Sequence, residues 1–149
     1  MSIDEKIKSL GLKLPPPSPS MGAFVSHVRS GNLLFLSGQT AKRDGKSWVG
    51  KLGEDLTTSE GKQAARSVAV DLLGTLRAAV GDLNRIRIVK LRVLVNSAPS
   101  FTEQHLVANG ASELFVELLG DKGAHARCAY GVAQLPLGSC VEIELTAEV

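Results

Sequence analysis

A chain of 149 residues with 17 Lys and Arg against 15 Asp and Glu, and 44% apolar residues, fits one globular domain and is too short for two comfortable ones. Its net charge of +2, spread along the chain, argues against a broad nucleic-acid or membrane surface. No apolar run approaches the ~18 residues that span a bilayer. Cys128 and Cys140 lack zinc-site spacing and no signal peptide precedes the fold, so two reduced, half-buried thiols in a cytoplasmic protein are expected, with a disulfide across the Leu135–Ser139 turn as the alternative.

In chain order, Ile3, Ile7 and Leu10 predict a short helix ending at Gly11. Leu14-Pro15-Pro16-Pro17-Ser18-Pro19-Ser20 cannot be helix or central strand and reads as an extended strap. Residues 1–21 are thus expected as helix plus strap, and 22–149 as the domain proper. Phe24 to Arg29 and Leu33 to Ser37 flank the turn residues Ser30-Gly31-Asn32, which predicts a hairpin. Trp48-Val49 is a candidate edge strand in the loop that follows.

Thr57-x-x-Glu60 is a capping box that opens a helix through Ala65, Val68, Leu72, Leu76 and Ala79, stopped by Gly81. Ile86 to Asn96 reads as a strand with Val89, Leu91, Val93 and Val95 on its apolar face. Ser100-x-x-Glu103 suggests a second capping box, before a helix running through Leu106, Leu114 and Leu118 to Gly120. In the last strand Val141, Ile143, Leu145 and Ala147 alternate with Glu142, Glu144, Thr146 and Glu148. The order β-β-(β)-α-β-α-β-β gives an α+β fold, one sheet with two helices on one face. The polar face left uncovered must meet water, another subunit or a ligand.

The chemistry concentrates in the last quarter, where two strands joined by a Pro-Gly turn carry Arg127 and Glu142. A guanidinium suits two-pronged binding of a small carboxylate, and a nearby glutamate can handle a water or a proton. A guanidinium close by would keep Glu142 ionised. His27, His105 and His125 lie on separate elements without ligand spacing, so no metal site is expected. Cys128 points opposite Arg127 by strand alternation and reads as packed, with no paired base to make it a nucleophile. The plainer readings are an interface ion pair for Arg127 and a solvated strand position for Glu142.

The Gly31-Asn32 turn leading to Ser37-Gly38-Gln39, the strand Ile86 to Val95, Asn109 and Glu113 in the second long helix, Ala126-Arg127, Leu135-Pro136 and Val141-Glu142-Ile143-Glu144 follow one another in a familiar order. Through them the chain resembles the reactive intermediate deaminase (Rid, YjgF, "endoribonuclease L-PSP") superfamily, in a longer-chain branch. The resemblance implies a chorismate-mutase-like fold, a homotrimer with a central β-barrel, and ligand sites in clefts between subunits. It implies cofactor-free hydrolysis of small enamine or imine acids of the 2-aminoacrylate type to 2-keto acids and ammonia. Arg127 would hold the substrate carboxylate and Glu142 the hydrolytic water, with Phe24, Ser37, Gly38, Asn109 and Ala129 lining the pocket. The partner expected is then a small 2-imino or 2-keto acid, with no cofactor, no membrane and no nucleic acid.

The chain departs from the family pattern at Phe24, where tyrosine is usual, at Ala129, where cysteine is common, at Gly131, which replaces a larger residue, and at His125, where proline is common. Two other functions compete with deamination. One is a trimeric module that binds small carboxylates without turnover; the other is the ribonuclease of the family's label, for which the sequence offers no basic groove.

Overall fold

The computed structural model describes residues 1–20 and 22–149; Met21, where the strap was expected to end, lies outside them. The first helix, α1 (Ile3–Ser9), is opened by Ser2, whose hydroxyl accepts from the Glu5 N–H while the Glu5 carboxylate accepts from the Ser2 N–H. Ile7 is buried and tied into the main core, and Gly11 takes the left-handed turn at φ +67°. The proline strap then crosses the first long helix at Gly74. A Cβ at that position would lie 2.0 Å from the Pro15 carbonyl oxygen, so only glycine lets the strap lie this close.

The central sheet contains β1 (His27–Ser30), β2 (Leu33–Thr40), β5 (Arg87–Asn96), β6 (Ala126–Val132) and β7 (Val141–Glu148), in the spatial order β1-β2-β7-β5-β6. Lys42–Arg43 (β3) and Lys46–Ser47 (β4) form a separate small ribbon turned by Asp44 and Gly45, both at positive φ. That ribbon replaces the edge strand expected at Trp48-Val49, of which only a bridge from Val49 to Ser139 remains. The first hairpin forms through Gly31 at φ +61°, with Ser30 opposite Leu33. Its first strand starts at His27, however, so Phe24 and Val25 precede the ladder, and Ser26 adds only a carbonyl that accepts from the Ser37 N–H at 3.0 Å.

The principal correction concerns the last quarter. β6 and β7 are not a hairpin, because β5 lies between them, parallel to β6 and antiparallel to β7. A strand, a helix and a second parallel strand form a crossover unit, and this crossover places β6 beside β5 at the sheet edge. Two bulges adjust the faces. In β5 the irregularity between Ile88 and Lys90 puts Ile88 in the core and leaves Val89 exposed, against the simple alternation. In β2 the extra residue at Ser37-Gly38 keeps both Leu36 and Gln39 on the helix side, where Gln39 donates to Thr75.

α2 (Thr58–Val80) begins at Thr57, whose capping box with Glu60 forms as the sequence indicates, and ends at Gly81. α3 (Gln104–Leu119) lacks the second capping box. Its N-cap is Glu103, whose carboxylate accepts instead from the Thr58 hydroxyl on α2. Both helices cover one face of the sheet. Leu72, Leu73 and Leu76 from α2, Leu114, Phe115 and Leu118 from α3, and Ile88, Leu91, Ile143 and Leu145 from the strands are fully buried between them. The other face stays open and exposes Val28, Phe35 and Tyr130 beside its charged residues. No helix among the described residues is long and apolar enough to cross a membrane.

Candidate functional site

Arg127 stands in register with Leu91, so it emerges on the helix face of edge strand β6. Its guanidinium is fastened to α3. One terminal nitrogen donates to Asn109 Oδ1 at 2.8 Å and Ser112 Oγ at 3.1 Å, and the other donates to the His105 carbonyl at 3.2 Å. A guanidinium has five N–H donors. Three are thus occupied by fixed protein oxygens, and Nε–H with one terminal N–H stays unengaged.

Behind this grip lies His125, just ahead of β6. Its Nδ1 is 2.6 Å from the Gly123 carbonyl and its Nε2 is 2.8 Å from Ser112 Oγ. A carbonyl only accepts, so the network assigns the hydrogen to Nδ1 and makes Nε2 the acceptor of the Ser112 hydroxyl. The ring stands edge-on to Phe115 at 6.1 Å. Burial, with the Arg127 charge adding to it, holds the imidazole below its ordinary pKa, although the Gly123 hydrogen bond opposes the shift. Sequence reading singled out His125 but missed Ser112. The i, i+3 spacing of Asn109 and Ser112 on one helix face was the available signal.

Ala129 follows Arg127 on the same face and packs against the core. Further along, a Cβ at Gly131 would come within 2.9 Å of the Gln104 amide nitrogen and 3.0 Å of Ser97 Oγ, so the missing side chain leaves room for that polar pair. Of the other motif residues, Glu113 pairs with Lys62 at 3.1 Å on the surface between the two long helices.

Glu142 lies elsewhere. It emerges on the open face of β7, opposite Thr40 and Leu94, and its carboxyl carbon and Oε1 would be 3.2 Å from a Cβ at Gly38. Ser37 donates to the Val25 carbonyl at 2.6 Å, which ties the segment carrying the exposed Phe24 ring to the bulge. The expected residues therefore separate into two groups. Arg127, Asn109 and Ala129 occupy the helix face of β6, whereas Glu142 and Gly38 occupy the open face of β7 and β2, with Ser37 and Phe24 beside them. With β5 between the strands and three residues of offset, the two Cα atoms are about 14 Å apart on opposite faces.

This separation overturns one expectation, that a guanidinium keeps Glu142 ionised. Burial, and then the like charge of Glu144, raise the Glu142 pKa above the usual carboxylate value. On that face Arg92 pairs with Glu144 at 3.2 Å, not with Glu142. Cys128 shares the open face, opposite Arg127, and is half-buried as expected. Cys140 is fully buried, and its thiol is pushed up to about 11. Among the described residues no group of three His, Cys, Asp or Glu could hold a metal ion.

A groove of about 630 Å³ runs between the strap and α2, lined by Pro15, Lys42, Arg66 and Asp71 among others. Burial raises the Asp71 carboxyl there, and Lys42 opposes the shift. It borders neither Arg127 nor Glu142.

One open-faced sheet with two covering helices, and an anchored arginine on its parallel edge strand, define an α+β protein of the chorismate-mutase-like class. A family model described as "YjgF/chorismate mutase-like, putative endoribonuclease" matches residues 4–149, and the chain belongs to this family. It is 49% identical over 146 residues to "Protein TCP17" of Trypanosoma cruzi, covering 96% of this chain and 91% of that one. The crystal structure of a putative endoribonuclease from Shewanella oneidensis is 32% identical, with all of both chains covered and a TM-score of 0.95. The RidA structure from an Antarctic Psychrobacter is 28% identical, with 90% of this chain and 94% of that one covered and a TM-score of 0.60.

Proposed function

We propose that the protein is a cofactor-free deaminase of small enamine or imine acids, working as a cytoplasmic homotrimer with each site shared between two copies. The observation that carries this reading is Arg127: three of its N–H groups are fixed by α3 and two have no hydrogen-bond partner among the described residues. Two free donors on a pre-oriented, permanently charged plane suit a carboxylate. The opposite-face placement supports a shared site, since Arg127 and Glu142 can meet only if one copy's β6 edge docks on another copy's open face. Val28, Phe35 and Tyr130, exposed on that face, supply apolar surface for such docking.

Within that site, water adds to the C=N carbon of the bound iminium and forms a C–O bond. The C–N bond then breaks, leaving a 2-keto acid and ammonium. Glu142 takes a proton from the attacking water and returns it to the departing amine. A carboxylate can serve as the base in the first transfer and, once protonated, as the acid in the second. Arg127 gives the carboxylate a fixed position, and holding two reactants in attack geometry is worth up to roughly 7–11 kcal/mol. Phe24 offers an apolar ring to the same pocket.

The test uses imines generated enzymatically in situ, with 2-keto-acid release as readout. Arg127→Ala is expected to lower kcat/KM by about 100-fold or more, the scale for losing a fixed charge partner at a reacting group. Arg127→Ala and Glu142→Gln, each inactive alone, are expected to regain activity when co-refolded, because mixed trimers form sites with both native residues. Absence of complementation would remove the shared site. Pyruvate binding without turnover above a buffer control would favour the binding-module reading, and RNA cleavage lost on Arg127→Ala would favour the ribonuclease reading.

A further inference from the structure

We propose that His125 is a positioning residue that acts through Ser112 on Arg127, so that the site takes up a proton when it binds a carboxylate. This rests on the carboxylate role proposed for Arg127.

The connection is a direct chain of hydrogen bonds. Gly123 O fixes the imidazole from one side, Ser112 Oγ joins its Nε2 at 2.8 Å, and the same oxygen receives Arg127 at 3.1 Å. The ring and the guanidinium are therefore at most about 6 Å apart through one hydroxyl. Ser112 serves both ring states. With neutral His125 its hydroxyl hydrogen goes to Nε2 and its oxygen accepts from Arg127. With protonated His125 the oxygen accepts from both cations and the hydroxyl hydrogen turns away. No hydrogen bond is lost in either state, so the proton changes charge and not architecture.

Charge then fixes the sign. Arg127 is the charged group that acts on the ring, and it disfavours protonation, as burial against Phe115 also does. Within the chain the other groups hydrogen-bonded to the pair are neutral: the carbonyls of Gly123 and His105, the Asn109 amide and the Ser112 hydroxyl. A carboxylate seated on Arg127 cancels the opposing charge, and the ring gains proton affinity. By reciprocity, protonating the ring strengthens carboxylate binding by the same factor. With the carboxylate about 8 Å from the ring and intermediate screening, that factor is about fivefold.

The experiment measures pyruvate affinity of the full chain by calorimetry as pH falls through and below the ordinary imidazole range, beside the NMR titration of the His125 ring with and without saturating pyruvate. The wild type is expected to tighten about fivefold across the ring's titration, and pyruvate is expected to shift that titration upward. Glu142 is a second titratable group at the proposed site, its pKa raised by burial, and its protonation also favours anions, so His125→Gln separates the two. Its amide can accept from Ser112 but cannot ionise, and it is expected to lose the His125 share of the pH dependence. Ser112→Ala is expected to weaken pyruvate binding at every pH. A His125 titration unmoved by pyruvate, or a pH profile that His125→Gln leaves unchanged, would overturn the inference. If Arg127→Ala binds pyruvate as the wild type does, the underlying carboxylate reading fails instead.

Discussion

Gly110→Ala probes how closely the two long helices must approach for the arginine to be held. A Cβ on Gly110 would be 1.9 Å from the Lys62 carbonyl oxygen and 2.9 Å from its carbonyl carbon, and contacts of a Cβ are essentially never under 3.0 Å. The obstacle is backbone, so no rotamer relieves it, and the helices must part by at least about 1.1 Å, the gap between those two separations. Alanine gains about 1 kcal/mol in helix propensity. Against this stand about 1–3 kcal/mol for overpacking and the loosened contacts of Leu72, Val107 and Leu114. The net expectation is a loss of up to about 2 kcal/mol, a fall in Tm of up to about 8 °C for a chain of this size. Asn109 is the adjacent residue and holds Arg127, so pyruvate affinity is expected to fall along with stability. Differential scanning calorimetry and binding calorimetry on the same samples check both. A Tm equal to or above that of the wild type would refute the argument that close helix approach outweighs propensity at this position.

Two further outcomes follow from the same geometry. Glu142 has a raised folded-state pKa, so its contribution to stability is present below the unfolded-state value and is lost as pH rises through the folded one. Glu142→Gln is therefore expected to be more stable than the wild type at pH 7 and equal to it near pH 3, by urea melts at both; the reverse order would contradict the burial argument. Gly74→Ala is expected to lift the strap from α2, because its Cβ would meet the Pro15 carbonyl at 2.0 Å. Limited proteolysis should then cleave within Leu14 to Ser20 faster than in the wild type, with the core fragment intact; unchanged cleavage would mean that the strap is held by other contacts.

The sequence shows its helices and faces more clearly than its strand neighbours. The Thr57 capping box, the stop at Gly81 and the alternation in Val141 to Glu148 are local signals, and local physics decides them. The Ser100 box failed because Glu103 had a better partner in Thr58, which is distant in sequence. Reading β6 and β7 as a hairpin failed for the same kind of reason: residues 133–140 connect strands that are near in sequence but separated by β5. That one misplacement put Arg127 and Glu142 into a single hairpin. Their opposite faces emerge only when the parallel register with Leu91 and the bulge at Gly38 are known. The grip on Arg127 was half visible, through Asn109 and His125, while Ser112 was marked only by its i, i+3 spacing from Asn109.

The two cysteines give the protein a pair of chemical clocks. Cys140 is wholly enclosed with its thiol at about 11, so an alkylating reagent reaches it only when the core opens, and its labelling rate measures global unfolding. Cys128 is half-buried on the open face of the sheet, so its labelling depends on whether that face is covered. One reagent and one mass spectrum thus time assembly and unfolding separately, in the same chain and without any label being engineered.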